Sequence, residues 1–471
     1  MSEQFKEQGG SATMDPNPLR RWLSSVLINR VLSPARQAKR RARFERQRCK
    51  AAARHRLEYF HQVDDSYSHL AVQLLQPLVE RYDIELVCHL VSGPSGKNAA
   101  EPALMSRYSV YDAHCIAPNY GLSFPEQQSA PPDSSLVEQA LAILAAQNPL
   151  DYASCAVQVG EALWSGDKAN LTSLAIQFGS ASTEASAACL KAGNARRAQL
   201  GHYAGAMFYY AGEWYWGVDR LHYLETRLHQ LGAQRKAQEG PLAPRPEIVG
   251  GPLKDNGSLQ LEVFFSLRSP YSAISFDRTL KLARETGIEL VLRPVLPMVM
   301  RGVPVTLKKG LYIFADAARE ARASGTAFGR FCDPIGEPIR RCYSLYPWAC
   351  EQGKGADLLS SFMGCAFAEG INTSSNRGLQ RVVEKAGLDW QQAQKVLGKS
   401  GWQAILEENR QAMYGAGLWG VPSFRLVDTG AGERSEQLAA LWGQDRLWLI
   451  AQQIQSRLAL NNRHNSEDKD G

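Results

Sequence analysis

Residues 261–272, with the sequence LEVFFSLRSPYS, place a serine hydroxyl where a predicted strand gives way to a predicted helix. The strand formers around Phe264 end before Ser269 and Pro270. Serine is a favoured N-cap residue and proline suits the first helical position, so a helix is predicted to begin there. The N-terminal end of a helix stabilises anions, including thiolates. Ser269 is therefore a candidate for chemistry, although capping alone also explains a serine at this position.

Other residues of the C-terminal half have types that would complement such a hydroxyl. A lysine follows the second predicted strand, a Val-Pro pair typical of a cis-proline turn precedes a short strand, and a Gln-Asp pair opens the last predicted helix. In an open sheet, ligands bind at strand ends beside helix N-termini. A lysine could bind a carboxylate, an aspartate could bind an amino group, and the backbone before a cis-proline could pair with an extended peptide. Together with the serine, these groups would fit a small zwitterionic thiol peptide. These candidates are Lys309, Val421, Pro422, Gln444 and Asp445.

The two halves of the chain repeat the same order of elements. LEYFHQVDDSYS from Leu57 aligns without a gap with LEVFFSLRSPYS from Leu261. IELVCHLV from Ile84 aligns with IELVLRPV from Ile288. A repeat of whole domains at this spacing indicates a tandem duplication rather than a short solenoid period.

The copies differ where the candidate site lies. The first copy lacks the serine and the proline, so we predict a diverged structural or partner domain there rather than a second active site. The aligned pairs are Asp65-Ser66 against Ser269-Pro270, and Ala206-Met207 against Val421-Pro422.

The length of 471 residues favours more than one domain, and residues 233–256 carry the clearest Pro- and Gly-rich linker signal. We predict an α/β protein with two tandem domains, each with a large helical insertion. The predicted boundaries are a basic, partly disordered arm with an amphipathic helix at 1–56, a degenerate domain at 57–232, a linker at 233–256, a domain carrying the site at 257–457, and a disordered tail at 458–471.

The composition, with 44% hydrophobic and 21% charged residues, is that of an ordinary globular protein. No apolar run is long enough to span a membrane, and the polar N-terminus lacks the apolar core of a secretory signal, so we expect a cytoplasmic protein. The nine cysteines are odd in number and none has CxxC spacing. That pattern argues against a disulfide framework and against a zinc site, and we expect no metal.

Positive charge is concentrated near the N-terminus. Between Arg20 and Arg56 stand thirteen Lys or Arg and one acidic residue, in a chain whose net charge is +6. This arm contains an apolar stripe at helical spacing, which would bind a membrane surface or a nucleic acid, or would pack on its own domain and leave the basic face solvated. We favour packing, because the arm lacks interleaved aromatics. The stripe is Leu19, Trp22, Leu23, Val26, Leu27 and Val31.

Several short motifs occur together between residues 259 and 455. They are FFSLRSPYS, RPVL, KKGLY, Asp316 with Arg319, AGLD, GVPSF and WGQDR. In combination they resemble the DsbA-like thioredoxin superfamily, and within it the kappa-class glutathione transferases and the 2-hydroxychromene-2-carboxylate isomerases. The resemblance implies two tandem thioredoxin-like domains of DsbA type.

The resemblance also implies glutathione as the cofactor. In that family a serine replaces the CxxC motif of the disulfide oxidoreductases. Ser269 would donate a hydrogen bond to the glutathione sulfur and stabilise the thiolate, which is the nucleophile. The other residues would hold the peptide: Lys309 its glycine carboxylate, Val421 before cis-Pro422 its cysteinyl part, and Gln444 with Asp445 its γ-glutamyl end.

The sequence therefore predicts a glutathione-dependent isomerase or transferase acting on a small aromatic-derived acid. Two alternatives stay open. A DsbA-type thiol-disulfide oxidoreductase shares the fold but needs a redox cysteine pair, which neither copy supplies at the helix start. A non-catalytic binding or scaffold protein is favoured by the degenerate first copy and the basic arm. The sequence leaves the substrate open, and equally whether the chain forms a homodimer.

Overall fold

The computed structural model describes residues 15–125, 130–149, 151–235, 240–303, 305–430 and 435–470. The chain forms two compact units. We call residues 35–246 the N-terminal domain, and residues 247–471 with the segment up to Pro34 the C-terminal domain. Of residues 1–18, which the sequence predicts to be disordered, residues 1–14 lie outside the described ranges. Within those ranges, no helix is both long enough and apolar enough to cross a bilayer.

The segment 1–56, predicted as one arm, is divided between the two domains. Helix α1 (Pro18–Leu32) belongs to the C-terminal domain, and α2 (Pro34–Lys50) belongs to the N-terminal domain from Ala35 onward. In the N-terminal domain, Arg41 on α2 forms a two-pronged ion pair with the buried Glu213, with N–O distances of 2.8 and 2.7 Å. The basic helix is therefore attached to its domain by one of its own arginines.

The N-terminal domain has a four-stranded sheet and a helical insertion between its second and third strands. The sheet order is β2-β1-β3-β4, with β1 and β2 parallel and the other pairs antiparallel. Its elements are β1 (His55–His61), α3 (Ser66–Val72), α4 (Leu75–Arg81), β2 (Ile84–Leu90), α5 (Pro102–Ile116), α6 (Ser134–Ala145), α7 (Tyr152–Trp164), α8 (Lys168–Phe178), α9 (Thr183–Leu200), β3 (Met207–Tyr210), β4 (Glu213–Trp216) and α10 (Leu221–Gln230).

The C-terminal domain repeats this plan with the sheet order β6-β5-β7-β8. Its last helix continues to Asp470, through residues where the composition predicts a disordered tail. Its elements after α1 are β5 (Leu259–Phe265), α11 (Pro270–Thr286), β6 (Glu289–Pro294), α12 (Leu307–Ala323), α13 (Glu337–Glu351), α14 (Gly355–Gly364), α15 (Asn376–Lys385), α16 (Trp390–Val396), α17 (Trp402–Gly415), β7 (Ser423–Asp428), β8 (Glu436–Trp442) and α18 (Leu447–Asp470).

The parallel strand pairs of the two domains have the same register. Leu57 stands opposite Leu86 in the first sheet, and Leu261 stands opposite Leu290 in the second. These are the residues that the gap-free sequence alignment makes equivalent. A one-residue slip would turn every side chain to the other face of the sheet, so the shared register means that both domains bury the same alignment positions.

A buried glutamate on the first strand is a second shared feature. Glu58 and Glu262 occupy aligned positions, and both are almost fully buried. A buried carboxylate needs charged or hydrogen-bonding partners to offset its desolvation. The partners are Arg196 and His89 for Glu58, and Arg293 and Arg425 for Glu262.

A third shared contact is made by a tyrosine on the helix that follows the first strand of each domain. The Tyr67 hydroxyl donates to Asp112 on α5, and the Tyr271 hydroxyl donates to Asp316 on α12, both at 2.8 Å. In each domain this bond joins the helix that follows the first strand to the first long helix of the insertion. It fixes how the insertion lies against the end of the sheet where the candidate site is found.

Helix α1 packs on the C-terminal domain through the face opposite its apolar stripe. The buried residues are Arg21, Ser25, Ile28 and Leu32. The Arg21 guanidinium donates to the carbonyl oxygens of Asp333 at 2.8 Å and of Ile335 at 2.6 Å. The favoured interpretation, in which the stripe packs on the protein, is therefore wrong. Hydrogen bonds from polar side chains attach α1 to the domain, and hydrophobic periodicity in the sequence cannot reveal such bonds.

Candidate functional site

Ser269 lies where the sequence places it, at the start of α11. It is the N-cap residue, with extended backbone and Pro270 in the first turn. Its Oγ accepts a hydrogen bond from the Ser272 N–H at 3.1 Å and donates one to the Val421 carbonyl oxygen at 3.3 Å. The second distance is longer than the usual 2.5–3.0 Å of an O–H···O bond. The hydroxyl proton is therefore weakly held and can turn towards a stronger acceptor.

The loop before β7 brings Val421 to this serine. The Val421–Pro422 peptide bond is cis, which confirms the prediction. The Pro422 carbonyl accepts from the Gly443 N–H at 2.9 Å. A Cβ on Gly420 would lie 2.4 Å from the Trp442 indole nitrogen, so only glycine fits at that position without displacing the ring. The indole and the Gly443 bond together fix the loop against the sheet.

Gln444 and Asp445 occupy the turn before α18. The Gln444 side chain is buried, donates from Nε2 to Glu320 at 3.0 Å, and accepts from Arg278 at 3.1 Å. Its Nε2 also donates to the carboxylate of Asp445, which is half-buried. Gln444 thus orients Asp445 and ties the turn to α11 and α12.

The sequence predicts Lys309 in a loop after the second strand, but it lies in the first turn of α12, which begins at Leu307. Thr306 caps the helix, its Oγ1 accepting from the Lys309 N–H at 3.3 Å. The lysine side chain is half-buried, and burial lowers the pKa of its ammonium group. A lysine in such a place gains more from a nearby carboxylate than an exposed lysine does, because less water competes.

Lys309 shares one face of α12 with two residues that contact the site. Spacings of seven and eleven residues bring Lys309, Asp316 and Glu320 to the same side of a helix. Asp316 accepts from Tyr271 on α11, and Glu320 accepts from Gln444. Ser269 and Val421 are thus in direct contact, whereas Lys309 and Asp445 are linked to them through α11 and α12.

Arg268 and Asp333 support the site and were missed from the sequence. The Arg268 guanidinium, next to Ser269, forms a forked pair with the Asp333 carboxylate at 2.8 and 2.9 Å. Burial disfavours the charged form of Asp333, but the Arg268 ion pair outweighs it and lowers its pKa. The two residues are 65 positions apart in the chain, and no spacing pattern signals such a pair.

The sheet register corrects the alignment of the two copies at the loop before the third strand. Met207 stands opposite Phe60, whereas Ser423 stands opposite the equivalent Phe264. The counterpart of Pro422 is therefore Ala206, and that of Val421 is Gly205. The placement of Ala206-Met207 against Val421-Pro422 was wrong by one residue, because the sequence offered too few shared residue types to fix the pairing.

The corresponding place in the N-terminal domain is filled by the domain's own groups. A Cβ on Gly205 would lie 2.5 Å from the Gln62 Cβ, so the Gln62 side chain covers the backbone there. The Ala206 N–H, which Pro422 lacks, donates to Ser68 Oγ at 2.9 Å. Asp219, aligned with Asp445, accepts from the Tyr120 hydroxyl at 2.9 Å.

Asp65 replaces Ser269 as the N-cap of the N-terminal domain's α3. Its carboxylate accepts from the Ser68 N–H at 3.0 Å, and burial raises its pKa to about 6. An ionised carboxylate caps a helix as a hydroxyl does, but it has no proton to donate and it repels a thiolate. The same alignment position therefore keeps its structural role without the property needed for thiolate chemistry.

The cysteines and the acidic residues define no further chemical centre. None of the nine cysteines, all within the described residues, forms a disulfide. In the part of the chain that the structure describes, no group of three or more His, Cys, Asp or Glu side chains is arranged to hold a metal ion.

Comparison with known proteins identifies the family of the C-terminal domain. Residues 260–455 match the family model of the DSBA-like thioredoxin domain. The C-terminal domain is thus a DsbA-like thioredoxin domain, and the predicted fold class, α/β with two thioredoxin-like domains carrying helical insertions, is confirmed. No curated protein matches the chain.

Each of the solved structures below matches a part of the chain about as long as one domain. A 2-hydroxychromene-2-carboxylate isomerase is 22% identical and covers 44% of this chain and 98% of its own, with a TM-score of 0.34. The cytosolic disulfide reductase DsbM from Pseudomonas aeruginosa is 18% identical, with coverages of 43% and 98% and a TM-score of 0.33, and was also solved with GSH. A probable DsbA oxidoreductase from Streptomyces coelicolor is 18% identical, with coverages of 42% and 90% and a TM-score of 0.32.

Proposed function

We propose that the C-terminal domain binds glutathione and uses its thiolate as the nucleophile of an isomerase or transferase. The observation that carries the proposal is the position of the Ser269 hydroxyl. It stands at the N-terminus of a 17-residue helix, and the acceptor it meets in the protein is the carbonyl oxygen of Val421 at 3.3 Å. A sulfur anion beside this hydroxyl would gain the hydrogen bond and the favourable end of the helix dipole.

The reaction needs no oxidant. The glutathione sulfur forms a bond to an unsaturated carbon of a small aromatic-derived acid, and the displaced electron pair moves onto the conjugated carbonyl oxygen. The former double bond then rotates. Return of the electron pair expels the thiolate and restores the double bond in the other geometry. Ser269 acts as the hydrogen-bond donor that keeps the attacking and departing sulfur anionic. In a transferase reaction the adduct is instead protonated and released.

We propose that the peptide is held at both ends. Lys309, on the face of α12 that meets α11, pairs with the glycine carboxylate. The half-buried Asp445 pairs with the γ-glutamyl amino group. The Gln444 side chain already bonds Glu320 and Arg278, so we assign it to positioning Asp445. The backbone at Val421, before Pro422, pairs with the cysteinyl unit.

We infer that the two domains arose by duplication and that the N-terminal one is not catalytic. The shared sheet register and the paired tyrosine–aspartate contacts support common descent. The counterpart of Lys309 is Met105, which offers no charge for a carboxylate. Together with Asp65 and the covered Gly205, this leaves the N-terminal domain without the serine, the lysine and the accessible backbone of the proposed site. Nine cysteines without a disulfide fit a reducing compartment, and we propose that the protein acts in the cytoplasm.

Calorimetric titration of the full chain with glutathione tests the proposal. We expect binding to the wild-type protein and weaker binding to Ser269→Ala. The matched control is Ser375→Ala, which removes a serine N-cap of the same kind from α15, where Ser375 Oγ accepts from the Gly378 N–H at 3.0 Å. Absence of glutathione binding to the wild-type protein would contradict the enzyme proposal and favour a scaffold. Insulin reduction with turnover would favour a disulfide oxidoreductase.

A further inference from the structure

Helix α1 exposes a continuous apolar face. Its four large apolar residues on that face are 64, 60, 51 and 41% exposed. They are four of the nine large apolar side chains that the described part of the chain exposes, and they fall within nine consecutive residues. Exposed apolar residues are ordinary when scattered and informative when contiguous. The four are Leu19, Trp22, Leu23 and Leu27.

The domain itself fixes the orientation of this face. Arg21 and Ser25 anchor the opposite side, the former through the carbonyl oxygens of Asp333 and Ile335, and the latter by accepting the Asp333 N–H at 3.0 Å. The Ser24 hydroxyl adds a bond to the Asp333 carboxylate at 2.7 Å. Rotating the helix to bury its apolar residues would break these bonds. The apolar face is therefore presented outward by specific polar contacts.

The positive charge on and around α1 indicates a negatively charged partner for the apolar face. The sequence of α1, PLRRWLSSVLINRVL, contains three arginines and no acidic residue. Arg20 and Arg30, both exposed, fall beside and at the end of the apolar face. After Ser33 the chain continues into α2, whose sequence contains eight Lys or Arg and one Glu. Leucines and a tryptophan with basic neighbours are typical of helices that lie in the interface of an anionic bilayer.

A second copy of the chain fits the face less well. Four partly exposed side chains make a patch on the order of a few hundred Å², whereas a standard stable interface buries about 800 Å² on each partner. Two-fold symmetry would also bring the same arginines towards one another, without acidic residues on α1 to pair with them.

We propose that α1 is a membrane-docking helix that lies in the surface of an anionic lipid bilayer. The leucines and Trp22 enter the interface, and the exposed Arg20 and Arg30 pair with lipid phosphates. The helix does not span the membrane, and the domain keeps its fold on docking because the buried face of α1 is not involved. The site around Ser269 plays no part in this proposal.

Vesicle flotation with the full chain tests it. The vesicles are phosphatidylcholine alone or phosphatidylcholine mixed with phosphatidylglycerol. We expect binding to the mixed vesicles that weakens as salt is raised, because screening reduces the attraction between charges. Trp22→Glu with Leu23→Glu should weaken this binding at least tenfold. Ile176→Glu is the matched control, since Ile176 on α8 is 84% exposed and should tolerate the change without loss of binding.

Unchanged vesicle binding in the double variant, or no binding of the wild-type protein to mixed vesicles, would overturn the proposal. Conversion of a wild-type dimer to a monomer by the double variant, without vesicle binding, would assign the face to a second copy instead. Circular dichroism of each variant checks that the fold is retained, as expected for substitutions at exposed positions.

Discussion

Ser269→Ala should raise the thiol pKa of bound glutathione while leaving the domain folded. The substitution removes the side chain that accepts the Ser272 N–H at 3.1 Å and contacts the Val421 carbonyl at 3.3 Å. It leaves the backbone of α11 in place. Two effects follow, a local loss of helix capping and the loss of a hydrogen-bond donor to sulfur, and they can be measured separately.

The two effects have different sizes. Loss of a serine N-cap costs about 1 kcal/mol of folding stability, and Ser375→Ala should cost about the same. A hydrogen bond to a charged group contributes about 1.5–3 kcal/mol, and one pKa unit corresponds to about 1.4 kcal/mol. The thiol pKa of bound glutathione should therefore rise by about 1–2 units in Ser269→Ala. It should stay below the free value of about 8.5, because the helix dipole remains.

The ultraviolet absorbance of the thiolate, followed against pH at saturating glutathione, reports this pKa directly. Thermal unfolding of the same samples reports the capping loss. We expect both alanine variants to lose similar stability and Ser269→Ala alone to shift the titration. An unshifted titration in Ser269→Ala, with glutathione still bound, would refute the assignment of Ser269 as thiolate donor and leave it a capping residue.

Three further outcomes are expected. Asp445→Ala should weaken glutathione binding about tenfold or more in calorimetry with an unchanged melting temperature, and equal affinity would remove Asp445 from the site. Lys309→Met should weaken binding and reduce its decline at alkaline pH, leaving the part that comes from deprotonation of the amino group at Asp445. In the wild type that decline begins earlier than for an exposed lysine, because burial lowers the pKa of the protonated, carboxylate-binding form. In acid, Glu58→Gln should flatten the loss of stability of the N-terminal domain. Burial opposes ionisation of Glu58, yet Arg196 and His89 lower its pKa to about 2. The stability that the ionised form contributes above pH 4.5 is therefore lost as the pH falls from there towards 2. Chemical denaturation should measure this loss in the wild type as up to about 3 kcal/mol.

The sheets were readable from the sequence because their signals are local. Aromatic and β-branched runs marked β5 and β6, and Ser269-Pro270 marked the start of α11. The cis bond before Pro422 followed from its place between a turn and a strand. Each of these features depends on a few adjacent residues, so one sequence suffices to find them.

The contacts that join distant segments could not be read in the same way. Arg268 forms an ion pair with Asp333, 65 residues further along the chain, and Gln444 donates a hydrogen bond to Glu320 on another helix. For α1, the apolar spacing predicted the buried side, whereas Arg21 and the backbone carbonyl groups it meets decide the orientation. Specific polar bonds override hydrophobic periodicity there, and a sequence pattern contains no information about which carbonyl groups an arginine will meet.

A crystal structure of the full chain in complex with glutathione would show whether the glutathione sulfur meets Ser269. We expect the glutathione sulfur within hydrogen-bonding distance of Ser269 Oγ, the glycine carboxylate at Lys309 and the amino group at Asp445. A peptide bound elsewhere, or at this place with its sulfur turned away from Ser269, would contradict it.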